Sequence, residues 1–207
     1  MNKDGVLIVL SGFSGAGKGT LVKRLMELHE GYALSISATT RAPREGEMEG
    51  VHYFFKTREE FEQMIEEDAF FEHAEYCGNY YGTPKAYVEE HLSKGRNVIL
   101  EIEIQGALKI KEQRPDALLL FVTPKDAETL RERLTGRGTE SPEVVEQRLS
   151  RAGEEAEGVE HYDYLLINDD LDTCVEEMHS IIRDARFRVT RNLGIIDEIK
   201  KSLKKGE

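Results

Sequence analysis

The apolar run Val6 to Leu10 leads directly into "SGFSGAGKGT", residues 11–20, and a helical pattern of apolar residues follows. A buried strand that ends in Gly12-x-x-x-x-Gly17-Lys18 and opens a helix leaves few options. The strand belongs to a covered parallel sheet, and the glycines let the loop curl with its N–H groups facing inward. The helix N-terminus adds its positive dipole end, and Lys18 supplies a point charge within reach of β- and γ-phosphates. Gly12, Phe13, Ser14, Gly15, Ala16, Gly17, Lys18, Gly19 and Thr20 are therefore the candidate cradle of a nucleoside triphosphate. Gly19 stands where such loops usually carry the hydroxyl that ligates Mg²⁺, and Thr20 comes one residue too late to replace it. Because Mg²⁺ sheds water reluctantly, the expectation is an ion held by phosphate oxygens and water, with no direct protein ligand.

The rest of the chain repeats the strand–helix rhythm. "NVILEI" (97–102), "ALLLFV" (117–122) and "YLLI" (164–167) read as buried strands, with "ALSIS" (33–37) a weaker one. Helices are expected from near Gly17, over 125–135, over 142–157 with Ser141 as N-cap and Pro142 at the first position, and over 171–189. The last shows Leu171, Val175, Met178, Ile182, Ala185 and Val189 at helical spacing. The predicted fold is α/β, a doubly wound parallel sheet with helices on both faces.

Residues 38–84 break the rhythm. They hold "VHYFF", then the capping box Thr57-x-x-Glu60 that opens a helix with Phe61, Met64 and Ile65 on one side, then "GNYYGTP", a turn-rich connection, and some antiparallel strand is expected among them. This is an inserted mixed α/β lobe. The expected division is a core of about 1–37, 85–124 and 152–190, a lobe of 38–84, a small helical lid of 125–151 and a tail of 191–207 carrying a terminal helix.

At 207 residues and a net charge of −12, the chain suits one domain and argues against general affinity for nucleic acid or anionic membrane. Cys77 and Cys174 match neither a zinc nor a redox spacing, and two reduced thiols fit a cytoplasmic protein. No signal core or membrane segment is visible. The histidines at 29, 52, 73, 91, 161 and 179 show no ligand spacing and read as structural or surface residues.

Arg41 and Arg44 lie three apart, behind Ser37, Thr39 and Thr40 and ahead of Tyr53. Two guanidinium forks with hydroxyls suit one phosphate group, although a solvated charged loop has the same composition. Here the chain closely resembles guanylate kinases. The resemblance is carried by the glycine loop, "SISATTRAPREGEMEGVHYFF" (35–55), "GNYYGT" (78–83), "EIEIQG" (101–106), "RLTGRGT" (133–139) and "ND" (168–169), in order from Val6 to about residue 189. "GKGT" is likewise similar to the loop of several nucleoside monophosphate kinases.

The resemblance implies a P-loop kinase fold and transfer of the γ-phosphate of MgATP to GMP, with dGMP a further acceptor. It implies that Ser37, Arg41, Arg44, Glu47, Tyr53 and Tyr81 hold the GMP phosphate or line its pocket, and that Glu72 and Thr83 read guanine. The chemistry agrees: a carboxylate accepts from N1–H and N2–H₂, a hydroxyl donates to O6, and adenine presents the opposite pattern at positions 1 and 6. Glu101 and Glu103 are expected on the same side of a strand end, where many relatives have aspartates. A water-mediated Mg²⁺ contact from Glu101 or a hydrogen bond on the GMP side is expected of them.

Lid arginines Arg133, Arg137 and Arg148, with Arg151 beside them, are implied to close over ATP and neutralise the transferring phosphoryl group. Interleaved Glu132, Glu140, Glu143 and Glu146 leave a salt-bridged charged helix as the bland alternative. Asn168 is implied to contact adenine; a strand-end turn residue is the plain alternative. Lys18, Arg41, Arg137 and Arg148 are the expected catalytic set. Two other readings compete: a non-catalytic guanylate-kinase-like module that binds phosphopeptides, and a kinase for another nucleoside monophosphate. The intact donor side of the loop weighs against the first. The sequence leaves oligomeric state open.

Overall fold

The computed structural model describes residues 4–136 and 142–204. The chain runs β1 (Leu7–Gly12), α1 (Lys18–Leu28), β2 (Tyr32–Leu34), β3 (Ala38–Thr39), β4 (Phe54–Phe55), α2 (Arg58–Glu66), β5 (Phe70–Tyr76), β6 (Asn79–Pro84) and α3 (Lys85–Ser93). It continues through β7 (Asn97–Glu101), α4 (Ile104–Gln113), β8 (Leu118–Thr123), α5 (Ala127–Thr135), α6 (Pro142–Ala156), β9 (Tyr164–Ile167), α7 (Leu171–Ala185) and α8 (Leu193–Lys204).

β1, β2, β7, β8 and β9 form one parallel sheet in the order β2-β7-β1-β8-β9. Strand side chains alternate between faces, and both faces are covered over β1, β7 and β8, which is why those strands read as unbroken apolar runs. Edge strand β9 reads as buried too, yet Tyr164, Leu165 and Ile167 are exposed, because among the described residues no further strand or helix covers them. Ile8, Leu10, Ile99, Leu118, Leu120 and Leu166 pack against Leu21 and Leu25 of α1 and Val175, Met178 and Ile182 of α7. Leu7, Val9, Val98, Leu100 and Leu119 pack against Val88 of α3 and Ala107 and Ile110 of α4. The β1–α1 loop thus opens at the carboxyl edge of the central strand, where such sheets bind ligands.

β3, β4, β5 and β6 form a second sheet in the order β4-β3-β6-β5. Thr57 Oγ1 accepts from Glu60 N at 3.1 Å while Glu60 Oε2 accepts from Thr57 N at 2.8 Å, the reciprocal cap expected at the start of α2. The fully buried Phe61 then stacks on Phe70 and Tyr80.

Several expectations need correction. "GNYYGTP" is strand β6, and the turn is Cys77-Gly78, both at positive φ (50° and 74°). The antiparallel strand expected in this lobe is present as β3–β6 and β5–β6, while Phe54–Phe55 of "VHYFF" pairs parallel to β3. α3 and α4 were not expected: each is one short helix directly behind a strand, α3 burying only Val88 and Leu92, and the Ile104, Ala107 and Ile110 stripe of α4 running on from the apolar residues of β7. α7 stops at Ala185, and Val189 is 71% exposed instead of continuing the buried stripe. The N-cap expected at Ser141 lies outside the described residues. Glu101 ends β7, but Glu103 has left the strand and occupies the N-cap position of α4, so the two do not share a strand face.

Candidate functional site

The loop between β1 and α1 is closed by a turn in which Ala16 N donates to Phe13 O at 3.0 Å. Gly12 and Gly17 are obligatory for different reasons. A Cβ on Gly12 would lie 2.2 Å from Val122 O of β8, and Gly17 has φ +89° with Asn168 Nδ2 2.7 Å from where a Cβ would stand. Gly17 is the N-cap of α1 and gives it no side-chain cap, so the first amides of the helix are left for an anion. Lys18 arches back over the loop, its Nζ donating to Gly12 O at 2.6 Å and Phe13 O at 3.3 Å. Phe13 packs edge-on against Phe121 at 5.0 Å and also against the cluster of Leu130, Leu134 and Val145 in α5 and α6. The glycine loop and helices α5 and α6 therefore share a hydrophobic contact.

Arg133 of α5 donates to Asn168 O at 2.8 Å and Ala16 O at 3.4 Å. Arg148 of α6 reaches Ser14 Oγ at 3.4 Å. Arg137 lies outside the described residues. Gly15, Gly17, Thr20, Arg133, Asn168 and Asp169 border a cavity of about 480 Å³ beside the loop.

On the opposite side, Ser37, Tyr53, Thr83 and Glu101 line a smaller cavity of about 140 Å³. The Thr83 hydroxyl donates to Glu72 Oε1 at 2.7 Å. Burial raises the Glu72 carboxyl above the ordinary range, against the opposing pull of that hydrogen bond, His73 and Lys109. Arg41 lies 5.4 Å from the Tyr53 ring centroid, and the Tyr53 and Tyr81 rings meet edge-on at 6.2 Å. Glu47 takes Arg41 Nη2 on both oxygens, at 2.8 and 2.9 Å, and the Arg44 backbone N–H at 2.8 Å. Those bonds hold Glu47 below the usual carboxylate range. Arg44 is exposed and joins the group through its backbone.

Glu101 keeps an edge open to solvent, yet surrounding protein raises its carboxyl, with Lys18 drawing it back down. Glu103 turns instead to Arg151 Nη2, at 3.4 Å. Sequence reasoning missed two residues here. Glu155 of α6 bonds Arg151, and its carboxyl is raised by burial and by Glu103 nearby. Ser11 Oγ donates to Ile102 O at 2.7 Å and ties the end of β1 to the β7–α4 turn. Glu155 carries no sequence signal, being one acid among many in a charged helix.

A glycine loop at the carboxyl edge of a doubly wound parallel sheet, faced by arginines and by a second polar cavity, defines a P-loop kinase fold. A family model described as guanylate kinase matches residues 4–185. The chain is 52% identical over 192 residues to the guanylate kinase of Caldanaerobacter subterraneus subsp. tengcongensis, covering 93% of each chain. It is 50% identical over 195 residues to that of Streptococcus agalactiae serotype III, covering 94% of this chain and 93% of that one. The crystal structure of guanylate kinase from Anaplasma phagocytophilum superposes with a TM-score of 0.69 at 34% identity, over 91% of this chain and 89% of that chain. The chain belongs to the guanylate kinase family.

Proposed function

We propose that this protein is an ATP:GMP phosphotransferase, converting ATP and GMP to ADP and GDP. One observation carries the reading at the level of the site. Leu34 and Glu101 border both the cavity that holds Ser37, Tyr53 and Thr83 and an apolar-walled cavity that begins at Gly19 of the phosphate loop. Donor loop and acceptor pocket thus share a wall, as direct transfer between two nucleotides requires.

On the acceptor side, ionised Glu72 accepts from guanine N1–H and N2–H₂ while the Thr83 hydroxyl is placed to turn toward O6. Ser37, Arg41, Tyr53 and Tyr81 surround the GMP phosphate, with Glu47 and Arg44 completing that loop. On the donor side the loop from Gly12 to Thr20 wraps the triphosphate. Arg133, Arg137 and Arg148 close from the lid.

A phosphate monoester has its second pKa near about 6, so a GMP oxygen attacks the γ-phosphorus without a general base. The bond to the β–γ bridging oxygen breaks, and ADP leaves with that oxygen. Lys18 and the lid arginines neutralise the charge that moves with the phosphoryl group, and closure keeps water from competing.

Mg²⁺ fits beside Gly19: a Cβ there would meet nothing within 4 Å, and the Glu101 carboxylate borders the same space. Glu101 would hold the ion through water, since Mg²⁺ sheds its waters reluctantly. When bound, Mg²⁺ offsets triphosphate charge. No helix among the described residues is long and apolar enough to cross a membrane. Cys77 and Cys174 are unpaired, which suits the reducing cytoplasm.

A coupled assay of ADP formation tests the reading. Turnover is expected to require GMP or dGMP, with AMP and UMP far poorer. No GMP-dependent turnover, or AMP as good as GMP, would sink it.

A further inference from the structure

We infer that Asn168 is a positioning residue for the phosphate loop, holding one loop carbonyl so that the adjoining amides face the triphosphate. The inference rests on the donor-site reading above and goes beyond it. Asn168 follows directly on β9, and its backbone N–H donates to Thr123 O at 2.8 Å, extending the β8–β9 ladder by one rung. The residue is 5% exposed, and its Nδ2 donates to Ala16 O at 2.8 Å. A side chain on rigid sheet thus grips a loop that is otherwise held by glycine turns.

The grip has a direct consequence for the loop amides. In a planar trans peptide the C=O and N–H of one unit point in opposite directions. With Ala16 O drawn to Asn168, the Gly17 N–H is directed away from Asn168, into the curl of the loop. Gly17 makes the approach feasible, since any side chain there would collide with Nδ2. Ala16 itself is fully buried in the main core, which fixes the peptide from its other end.

Arg133 joins the same node. Its Nη1 donates to Ala16 O and its Nη2 to Asn168 O. The lid helix α5, the end of β9 and the phosphate loop therefore meet at one carbonyl. With the Asn168 amide removed, Ala16 O keeps only the longer bond to Arg133, and the Ala16–Gly17 peptide is free to rotate.

A brace and a base contact are separable by a ligand that has no base. The experiment titrates wild type, Asn168→Leu and Asn168→Ala with inorganic tripolyphosphate, with ATP and with GMP in a calorimeter, and follows thermal unfolding. Asn168→Leu keeps about the size and removes the donor without adding a charge beside the polyphosphate, so it guards against an Ala variant that merely fails to fold. Both variants are expected to bind tripolyphosphate and ATP more weakly by a common factor of about 10, the scale of one lost buried hydrogen bond, with GMP affinity unchanged. In turnover, KM is expected to rise equally for ATP, ITP and CTP as donors. Unchanged tripolyphosphate affinity with weakened ATP binding would overturn the inference and make Asn168 a base contact. A wild-type protein that binds neither tripolyphosphate nor ATP would instead overturn the donor-site reading itself.

Discussion

The Thr83 hydroxyl donates to Glu72 Oε1 at 2.7 Å, and this pair joins the two strands of the β5–β6 hairpin, with Thr83 on the wall of the cavity that Ser37 and Tyr53 also line. Glu72→Gln replaces the charged acceptor with a neutral amide that also presents N–H groups to guanine. A hydrogen bond to a charged group contributes about 1.5–3 kcal/mol, so kcat/KM for GMP is expected to fall roughly 10- to 100-fold, with the ratio of GMP to AMP turnover falling as well. Selectivity left intact would show that guanine is read elsewhere.

The same carboxyl sets a pH dependence with a defined sign. Its folded pKa is raised, so the folded state prefers it protonated: the favourable contribution is complete below the unfolded pKa and is lost as pH rises through the folded one. At neutral pH the wild-type protein therefore carries a desolvated charge that Glu72→Gln lacks. The variant is expected to melt higher than wild type at pH 7, with the gap closing at acid pH. Thermal scans across pH 4–8 check it.

Lys18→Ala removes the ammonium that sits over Gly12 O and Phe13 O. The lysine tip belongs to no core cluster, so the melting temperature should stay nearly constant. Turnover should fall by about 10³-fold or more, the scale seen when a charge-stabilising donor is deleted. Near wild-type rates would show that the loop has another task.

Glu47 grips Arg41 with both oxygens and leaves the guanidinium few ways to turn. Glu47→Gln should loosen that orientation, raising KM for GMP about 10-fold and lowering kcat much less. Because Arg41 holds Glu47 below the usual carboxylate range, the pair stays ionised at neutral pH, and the effect should be flat from pH 6 to 8. Steady-state kinetics with GMP varied at saturating ATP gives the split.

His29 and His179 stack face to face, with centroids 3.7 Å apart, between the end of α1 and α7. Tyr32 OH lies 2.8 Å from His179 Nδ1, and Glu176 lies 3.0 Å from His29 Nε2. Burial, the His29 ring and the nearby Arg183 and Arg186 lower the His179 pKa, against the pull of Glu176. A lowered histidine stabilises the fold above its unfolded pKa, and the contribution is lost as pH falls below about 6.5. His179→Phe keeps a ring without the titration, so its melting temperature should fall less than wild type between pH 7 and 5.5.

Arg191, whose side chain is 4% exposed, pairs with Asp116 at 3.2 Å and donates to Gly5 O at 2.6 Å and Asp4 O at 3.2 Å. It fastens the chain after α7 to the entry of β1, at the end of the sheet away from the phosphate loop. Arg191→Met removes its bonds to Asp116, Asp4 O and Gly5 O and should cost about 2 kcal/mol in denaturant unfolding with KM for both nucleotides unchanged.

The parallel sheet, the glycine loop and the capped α2 were legible because their signals are local. A buried strand must be apolar on both faces, a phosphate loop must have glycine where the backbone turns, and Thr57 meets Glu60 within one turn of helix. Residues 38–84 stood out as a break in the strand–helix rhythm, and they hold the second sheet, β4-β3-β6-β5.

What depended on distance in the chain was not legible. β6 looked like a turn because its glycine and proline mask the strand, and only pairing with β3 and β5 makes it one. Val189 fitted the periodicity of α7, yet the helix ends first and the residue meets solvent. Glu103 matched Glu101 in type and spacing, but the chain turns between them and sends one to the acceptor cavity and the other to Arg151. Nothing near Asn168 in sequence points to Ala16, which lies 152 positions away. The sequence by itself determined most of the groups proposed for the site, though not Glu155 or Ser11. Only the tertiary structure decided which of them face one another, because that depends on pairing and packing between segments far apart in the chain.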